Sequence, residues 1–274
     1  MPVKEPFPEL DEVIASIGAA GHRIAEIDAS EDAAGNISVC LGWPVEVRRR
    51  FPVEEPIELP VPAPSLAGRT VIVTGSGRRL RALVSDPDAS LGAVLVDEGG
   101  RTGTLFTSRR RLFDRVTSEW NSHLAVHEDV IGRTDTNFQA IVHAQPPHLT
   151  YLSHVPAYRD QAYVDARLLR WEPETLVALP AGIGMLAFAV PGSPELMAAN
   201  VESLRTRRIV VWAKHGVMAR SNQSVTRAVD RIEYAETAAR YEYMDLLAGG
   251  RGEGLTVEEM RAVKAAFAVD TDLV

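Results

Sequence analysis

In the segment AIVHAQPPHLTYL, residues 140–152, an apolar run ends in His143, and two positions on stands Gln145. Side chains alternate faces along a strand, so positions two apart point the same way with their α-carbons about 7 Å apart. A His-x-His pair at a strand end therefore offers two imidazoles to one cation, and a histidine from a neighbouring strand closes one side of a tetrahedral site. His215 ends a second apolar run, VVWAKHGV at 210–217, and like His143 it is followed by loop formers. The competing account is structural: each is a strand-end imidazole satisfied by a backbone carbonyl. The two histidines alone leave both accounts open.

The segment TSEWNSHLAVH, 117–127, places Glu119, His123 and His127 at four-residue steps, on one face of a helix. A glutamate in a first turn is stabilised by the helix dipole without any further role. Beside a cation it could instead act as a general base, if burial brings its pKa toward neutrality. A third element is capacity for an anion. The TGSG turn at 74–77, the Ala-Gly-Asn turn at 34–36 and the Thr117–Ser118 pair offer backbone N–H groups and hydroxyls, and the RRLR run at 78–81 adds positive charge.

These residues need elements to hold them. Leu10, Val13, Ile14, Ile17 and Ile24 recur at helical intervals, predicting a first helix that ends around His22 to Ile27. NISVCL alternates Ile37, Val39 and Leu41 and reads as a strand entered at Gly35; the five prolines between 52 and 64 read as an extended connector. TVIVTGSG predicts a strand running into its turn, and residues 92–106 two strands joined at glycines. Thr117 or Ser118 is expected to cap a helix carrying Trp120, Leu124, Val130 and Ile131. Strands are also expected at 162–169, at 175–179 and before Pro191, and a single strand over 208–219 delivering His215 at its end. Ser193–Pro194 opens a helix to Arg207, a long helix runs from about Ser224 to Leu247, and Thr256 with Glu259 forms a capping box. The sum is a single α/β domain over residues 1–274, a central, mostly antiparallel sheet flanked by helices.

Composition narrows the partners. The chain has 274 residues, 46% hydrophobic and 24% charged, so it can bury a substantial core. A formal net charge of −8 argues against nucleic acid as the main partner, and the basic runs at 48–50, 78–81 and 109–111 read first as solvated surface. One cysteine, Cys40, excludes an intramolecular disulfide. The start of the chain has no basic region followed by an apolar one, and no apolar run approaches the roughly 18 residues of a membrane span. A cytoplasmic protein with no membrane partner is the expectation.

Nine short segments together resemble the class II aldolase/adducin family, most closely its bacterial L-rhamnulose-1-phosphate aldolase branch. They are AAGNISVCL (33–41), VTGSG with its following arginine (73–78), TSE with a histidine four after the glutamate (117–123), IVHAQ (141–145), RWE (170–172), LPAGIG (179–184), VPGS (190–193), VVWAKHGV (210–217) and IEYAE (232–236). Their order follows that branch along almost the whole chain. The resemblance implies retro-aldol cleavage of a ketose 1-phosphate, rhamnulose-1-phosphate-like, to dihydroxyacetone phosphate and an aldehyde such as lactaldehyde. It implies a divalent metal, zinc in the family, held by three histidines, of which His143 and His215 match the first and third. Glu119 matches the family's acid/base. Asn36, Ser76, Gly77 and Ser118 match its phosphate-binding positions, and Glu172 a glutamate acting on the aldehyde side from a neighbouring subunit of a homotetramer.

The chain departs from the family at one ligand, having His143-x-Gln145 where the family has His-x-His. A glutamine oxygen is a neutral, rather hard donor, poorer for zinc than imidazole. His148 is expected to be carried away by an extended Pro146–Pro147 path, and Glu119 could fill the gap as a carboxylate ligand. The same substitution leaves a non-catalytic, sugar-phosphate-binding relative, or a lyase or epimerase with another substrate, as alternatives.

Overall fold

The computed structural model describes residues 3–274. Nine strands form one sheet: β1 (Asn36–Leu41), β2 (Val53–Glu58), β3 (Thr70–Thr74), β4 (Leu91–Val96), β5 (Thr102–Thr107), β6 (Phe138–Ala144), β7 (Gly184–Leu186), β8 (Ile209–Trp212) and β9 (Gly216–Ser221). Their order is β2-β5-β4-β3-β1-β6-β9-β8-β7, and every pairing is antiparallel except β7 with β8. Eight helices accompany them: α1 (Leu10–Glu26), α2 (Trp120–Thr134), α3 (Pro147–Leu152), α4 (Gln161–Leu168), α5 (Pro173–Ala178), α6 (Pro194–Thr206), α7 (Val225–Leu247) and α8 (Val257–Ala266). The expected α/β class and mostly antiparallel sheet are what is found. Among the described residues no helix is long and apolar enough to cross a membrane.

Alternation along the two central strands separates the core from the chemistry. In β1, Ile37, Val39 and Leu41 join the core formed with Ile17 of α1 and Val229 and Ile232 of α7. Cys40 faces the other way, packing with Trp120 and Leu124 of α2, and Ser38 reaches the histidines of the same helix. In β6, Ala140, Val142 and Ala144 join the α1/α7 side, while Ile141 packs with Val126 and Val130 of α2. His143 follows Ile141 on that face, and Asn36 lies opposite it in the β1–β6 register. The two-residue period thus lines up Asn36, Ser38 and His143 beneath α2.

Four expected elements differ. The proline-rich stretch contains an edge strand, β2, paired only with β5 and half-buried in strict alternation; an edge tolerates Pro56 because one side of its backbone needs no ladder partner. Residues 162–169 and 175–179 are helical, not extended. Asp160 caps α4 by accepting from the Tyr163 N–H at 2.9 Å, Pro173 occupies the first turn of α5, and the buried Val164 and Leu168 are one helical turn apart. The run 208–219 is a hairpin, β8 and β9 joined through Ala213, Lys214 and His215, with Lys214 left-handed at φ 65°. The anticipated cap of α2 also moves, since Glu119 itself is the N-cap residue, and the Thr117 hydroxyl accepts the Glu119 N–H at 3.4 Å. The first helix, the Ser193 and Ser224 caps and the Thr256–Glu259 capping box stand where expected.

Candidate metal centre

Glu119, His143 and His215 converge. One donor atom from each lies within 4.8 Å of the others. Nε2 of His143 is 3.5 Å from Glu119 Oε2, and Nε2 of His215 is 3.6 Å from Glu119 Oε1. Three elements supply them: the entry of α2, the end of β6 and the β8–β9 turn. The His143 ring is fixed in orientation and tautomer, because its Nδ1–H donates to the Val217 carbonyl at 2.8 Å and leaves a lone pair on Nε2 toward Glu119. Trp212 stacks on that ring with centroids 4.6 Å apart. Burial, with the neighbouring His143 adding to it, pushes the His215 imidazole down from its ordinary value, which favours the neutral form a cation needs.

Gly216 lets the hairpin come this close. A methyl group there would stand 2.4 Å from the Ala144 carbonyl, 3.2 Å from Cε1 of His143 and 3.1 Å from Cγ of Gln145. The Gln145 stem therefore lies beside the same glycine as the His143 ring, half-buried, its backbone N–H given to the Ala29 carbonyl at 2.8 Å. A tetrahedral cation with bonds of about 2.0–2.1 Å has ligand–ligand edges of about 3.3–3.4 Å. The Glu119–His143 and Glu119–His215 separations, each to a different oxygen of the carboxylate, are slightly longer than such edges, and the donor types and their spacing suit a divalent metal.

The phosphate candidates gather nearby in the fold. The TGSG turn and the segment before α2 are zipped together: Thr117 N–H donates to Thr74 O at 3.0 Å, Ser76 N–H to Arg115 O at 2.8 Å, and Gly75 bridges Val116. The Thr74 hydroxyl accepts the Ile37 N–H at 3.2 Å, tying in β1. Gly77, at φ 71°, and Ser118 are exposed, and Ser76 is half-buried. The side chain of Asn36 is committed inside the protein, donating from Nδ2 to Glu119 Oε2 at 2.8 Å. Glu172 stands apart from the cluster as the N-cap of α5; burial and then Glu174 raise its carboxyl above the ordinary value. His148 is also absent from it, but the reason differs from the expected extended path: Pro147 opens α3, and His148 Nδ1 pairs with Glu236 at 2.6 Å. Sequence reasoning missed Ser38, Trp212 and Gly216. Ser38 was findable from its two-residue spacing to Asn36, while the other two act through contacts across the sheet.

An α/β chain with a carboxylate and two imidazoles collected at one end of an antiparallel sheet has known relatives. It belongs to the class II aldolase and adducin family, with residues 15–243 matching the Class II Aldolase and Adducin N-terminal domain. The rhamnulose-1-phosphate aldolase of Enterobacter sp. (strain 638) is 33% identical over 214 residues, covering 78% of this chain and 76% of that one. The sugar-phosphate aldolase of Thermotoga maritima superposes with a TM-score of 0.74 at 28% identity, over 89% of this chain and 98% of that one. L-fuculose-1-phosphate aldolase from Thermus thermophilus, at 19% identity and a TM-score of 0.55 over 89% and 98%, shares the fold.

Proposed function

We propose that the protein is a metal-dependent class II aldolase that cleaves a ketose 1-phosphate of the rhamnulose-1-phosphate type to dihydroxyacetone phosphate and a short aldehyde such as lactaldehyde. The observation that carries this is the convergence of Glu119, His143 and His215. Its support from kinship is the 33% identity to a rhamnulose-1-phosphate aldolase. In this reading His143, His215 and Gln145 hold the cation, and Glu119 stands against its remaining position, which the substrate takes. A divalent cation there, once bound, polarises the substrate carbonyl and stabilises the charge released on cleavage.

The chain's own residues do the rest. Cleavage breaks C3–C4 of the sugar: the C4 hydroxyl would give its proton to Glu172 at the aldehyde end, its oxygen becomes the aldehyde carbonyl, and the electron pair left on C3 takes up a proton. Glu119 carries the C3 proton on Oε1, since Oε2 is engaged by Asn36. The TGSG turn with Ser76 and Gly77, the Asn36 turn and Ser118 receive the phosphate, and its charge also suits Arg78. Glu172 would serve the aldehyde end of a neighbouring subunit's site in a homotetramer, and the cytoplasm is the proposed compartment.

Gln145 favours one second reading, a sugar-phosphate binder without turnover. Purified protein should contain about one transition metal per chain and release dihydroxyacetone phosphate from L-rhamnulose 1-phosphate, with the activity lost to a chelator. Metal-free wild type that fills only as Gln145→His, with no turnover under added zinc, manganese or cobalt, would establish the binder instead.

A further inference from the structure

Behind Glu119 lies a chain of buried polar groups of which the reaction as described uses only the first, Asn36. Asn36 Nδ2 is 2.8 Å from Glu119 Oε2, and Asn36 Oδ1 is 2.5 Å from His123 Nε2. His123 Nδ1 is 2.7 Å from Ser38 Oγ, which is 2.8 Å from His127 Nε2. Ser38, His123 and His127 are fully buried, and Asn36 nearly so. From these contacts we infer that Asn36, His123, Ser38 and His127 form a proton-ordered relay that holds Glu119 in place as positioning residues for its proton transfer. The inference rests on the aldolase reading for the purpose of the relay, and on geometry alone for its order.

The order follows from one end. A carboxylate oxygen only accepts, so Asn36 must turn its NH₂ to Glu119 and its carbonyl to His123. His123 must then carry its proton on Nε2, and a neutral ring has a bare Nδ1, which accepts the Ser38 hydroxyl proton. Having spent its only proton, Ser38 Oγ accepts from His127 Nε2–H. His127 Nδ1, without a partner among the described residues, is left as a bare acceptor at the blind end. Every hydrogen is assigned without a clash, and reversing any one of them sets two acceptors or two donors face to face. Burial pushes both histidines below their ordinary values, in keeping with neutral rings. The sequence spaces the parts for this: Asn36 and Ser38 share a face of β1, and His123 and His127 are one turn apart on α2.

The relay's action is orientational. Asn36 aims a donor at Oε2, on the His143 side of the carboxylate, and can do so only while His123 holds its carbonyl, leaving Oε1, on the His215 side, without a side-chain donor among the described residues. The test begins with ¹⁵N-histidine NMR of the whole protein at pH 7, which needs no substrate. Both His123 and His127 should show the neutral Nε2–H tautomer, and in Ser38→Ala the His127 signals, whose Nε2–H loses its acceptor, should move toward a tautomer mixture while His123 stays held by Asn36. Turnover of L-rhamnulose 1-phosphate by Ser38→Ala should fall about tenfold in kcat with KM and metal content little changed, the signature of a misaimed acid/base. An imidazolium or Nδ1–H ring in the wild type, tautomers indifferent to the lost hydroxyl, or an unchanged kcat beside altered tautomers would each overturn the relay. A wild type with correct tautomers and no turnover sinks the aldolase reading and leaves the proton order standing.

Discussion

Glu119 is asked to do two things, to stand at a corner of the cation site and to carry a proton. Glu119→Gln keeps an oxygen donor and the side-chain shape but removes the proton carrier. Turnover should fall by about 10²–10⁴-fold while a divalent cation is still retained, measured by a coupled dihydroxyacetone phosphate assay beside elemental analysis. Loss of the metal with the activity would instead mark Glu119 chiefly as a ligand. His127 gives a second residue-scale expectation. Burial pushes its pKa down to about 3, so only the unfolded chain takes up the proton near pH 6.5. A folded pKa below the unfolded one withdraws stability as pH falls from about 6.5 toward 3, amounting to about 2 kcal/mol at pH 5 for this one ring. Urea unfolding from pH 7 to pH 5 should show the loss, and His127→Gln should flatten it. Of the candidate cluster, Glu119, His143 and His215 were all legible as residue types at strand and helix ends. The direction in which Asn36 points was not, because only the fold brings Glu119 within 2.8 Å of it.

At the scale of elements, the β8–β9 hairpin decides where His215 stands. It crosses β6 at Gly216, where an added methyl would meet the Ala144 carbonyl. Gly216→Ala should force the hairpin outward, costing about 1–3 kcal/mol as overpacking does, and weaken cation binding more than Gly99→Ala, at an open turn. Denaturant midpoints and titration calorimetry on the two variants would decide it, and equal metal affinity would exclude this role for the hairpin. The turn was hidden in the sequence because VVWAKHGVMA is apolar on both sides of Lys214, and nothing in composition announces a left-handed lysine. Helices α4 and α5 were misjudged for a related reason. Short amphipathic helices at 8 and 6 residues present too few periods to separate 3.6 from 2, and their caps carried the information. The long helices α1 and α7 were readable because packing on one face enforces their period, and β1 and β6, buried on both faces, were readable as short apolar runs bounded by turn residues.

At the scale of the molecule, positive charge is stored where no carboxylate bonds it. Arg220 is 2% exposed, and among the described residues its side chain bonds the Leu204 carbonyl through Nε at 2.7 Å. Burial, then Arg208, Arg133 and Arg231, push its guanidinium down from the ordinary value. A buried cation that no carboxylate bonds is costly, with the more distant Asp129 only partly offsetting the three arginines, so Arg220→Met should raise the thermal midpoint, a gain of order 1–4 kcal/mol where apolar volume replaces buried charge. A lowered midpoint in calorimetry would show that the guanidinium stabilises the fold through the Leu204 contact. By contrast, the buried Glu242 is gripped by Arg167 Nε at 2.7 Å and Trp171 Nε1 at 2.8 Å, pinning α7 to α4.

The donors of the metal centre come from residues 119, 143 and 215, and Asn36 behind them from another strand. No local segment can bring them together, so the cation reads the completed sheet and ignores every partly folded chain. Mass action then ties metal supply to folding: a free cation at a hundred times its dissociation constant adds about 2.7 kcal/mol to the native state. In a cell the protein's abundance would follow its metal, because an unloaded chain spends more time in states that proteases recognise.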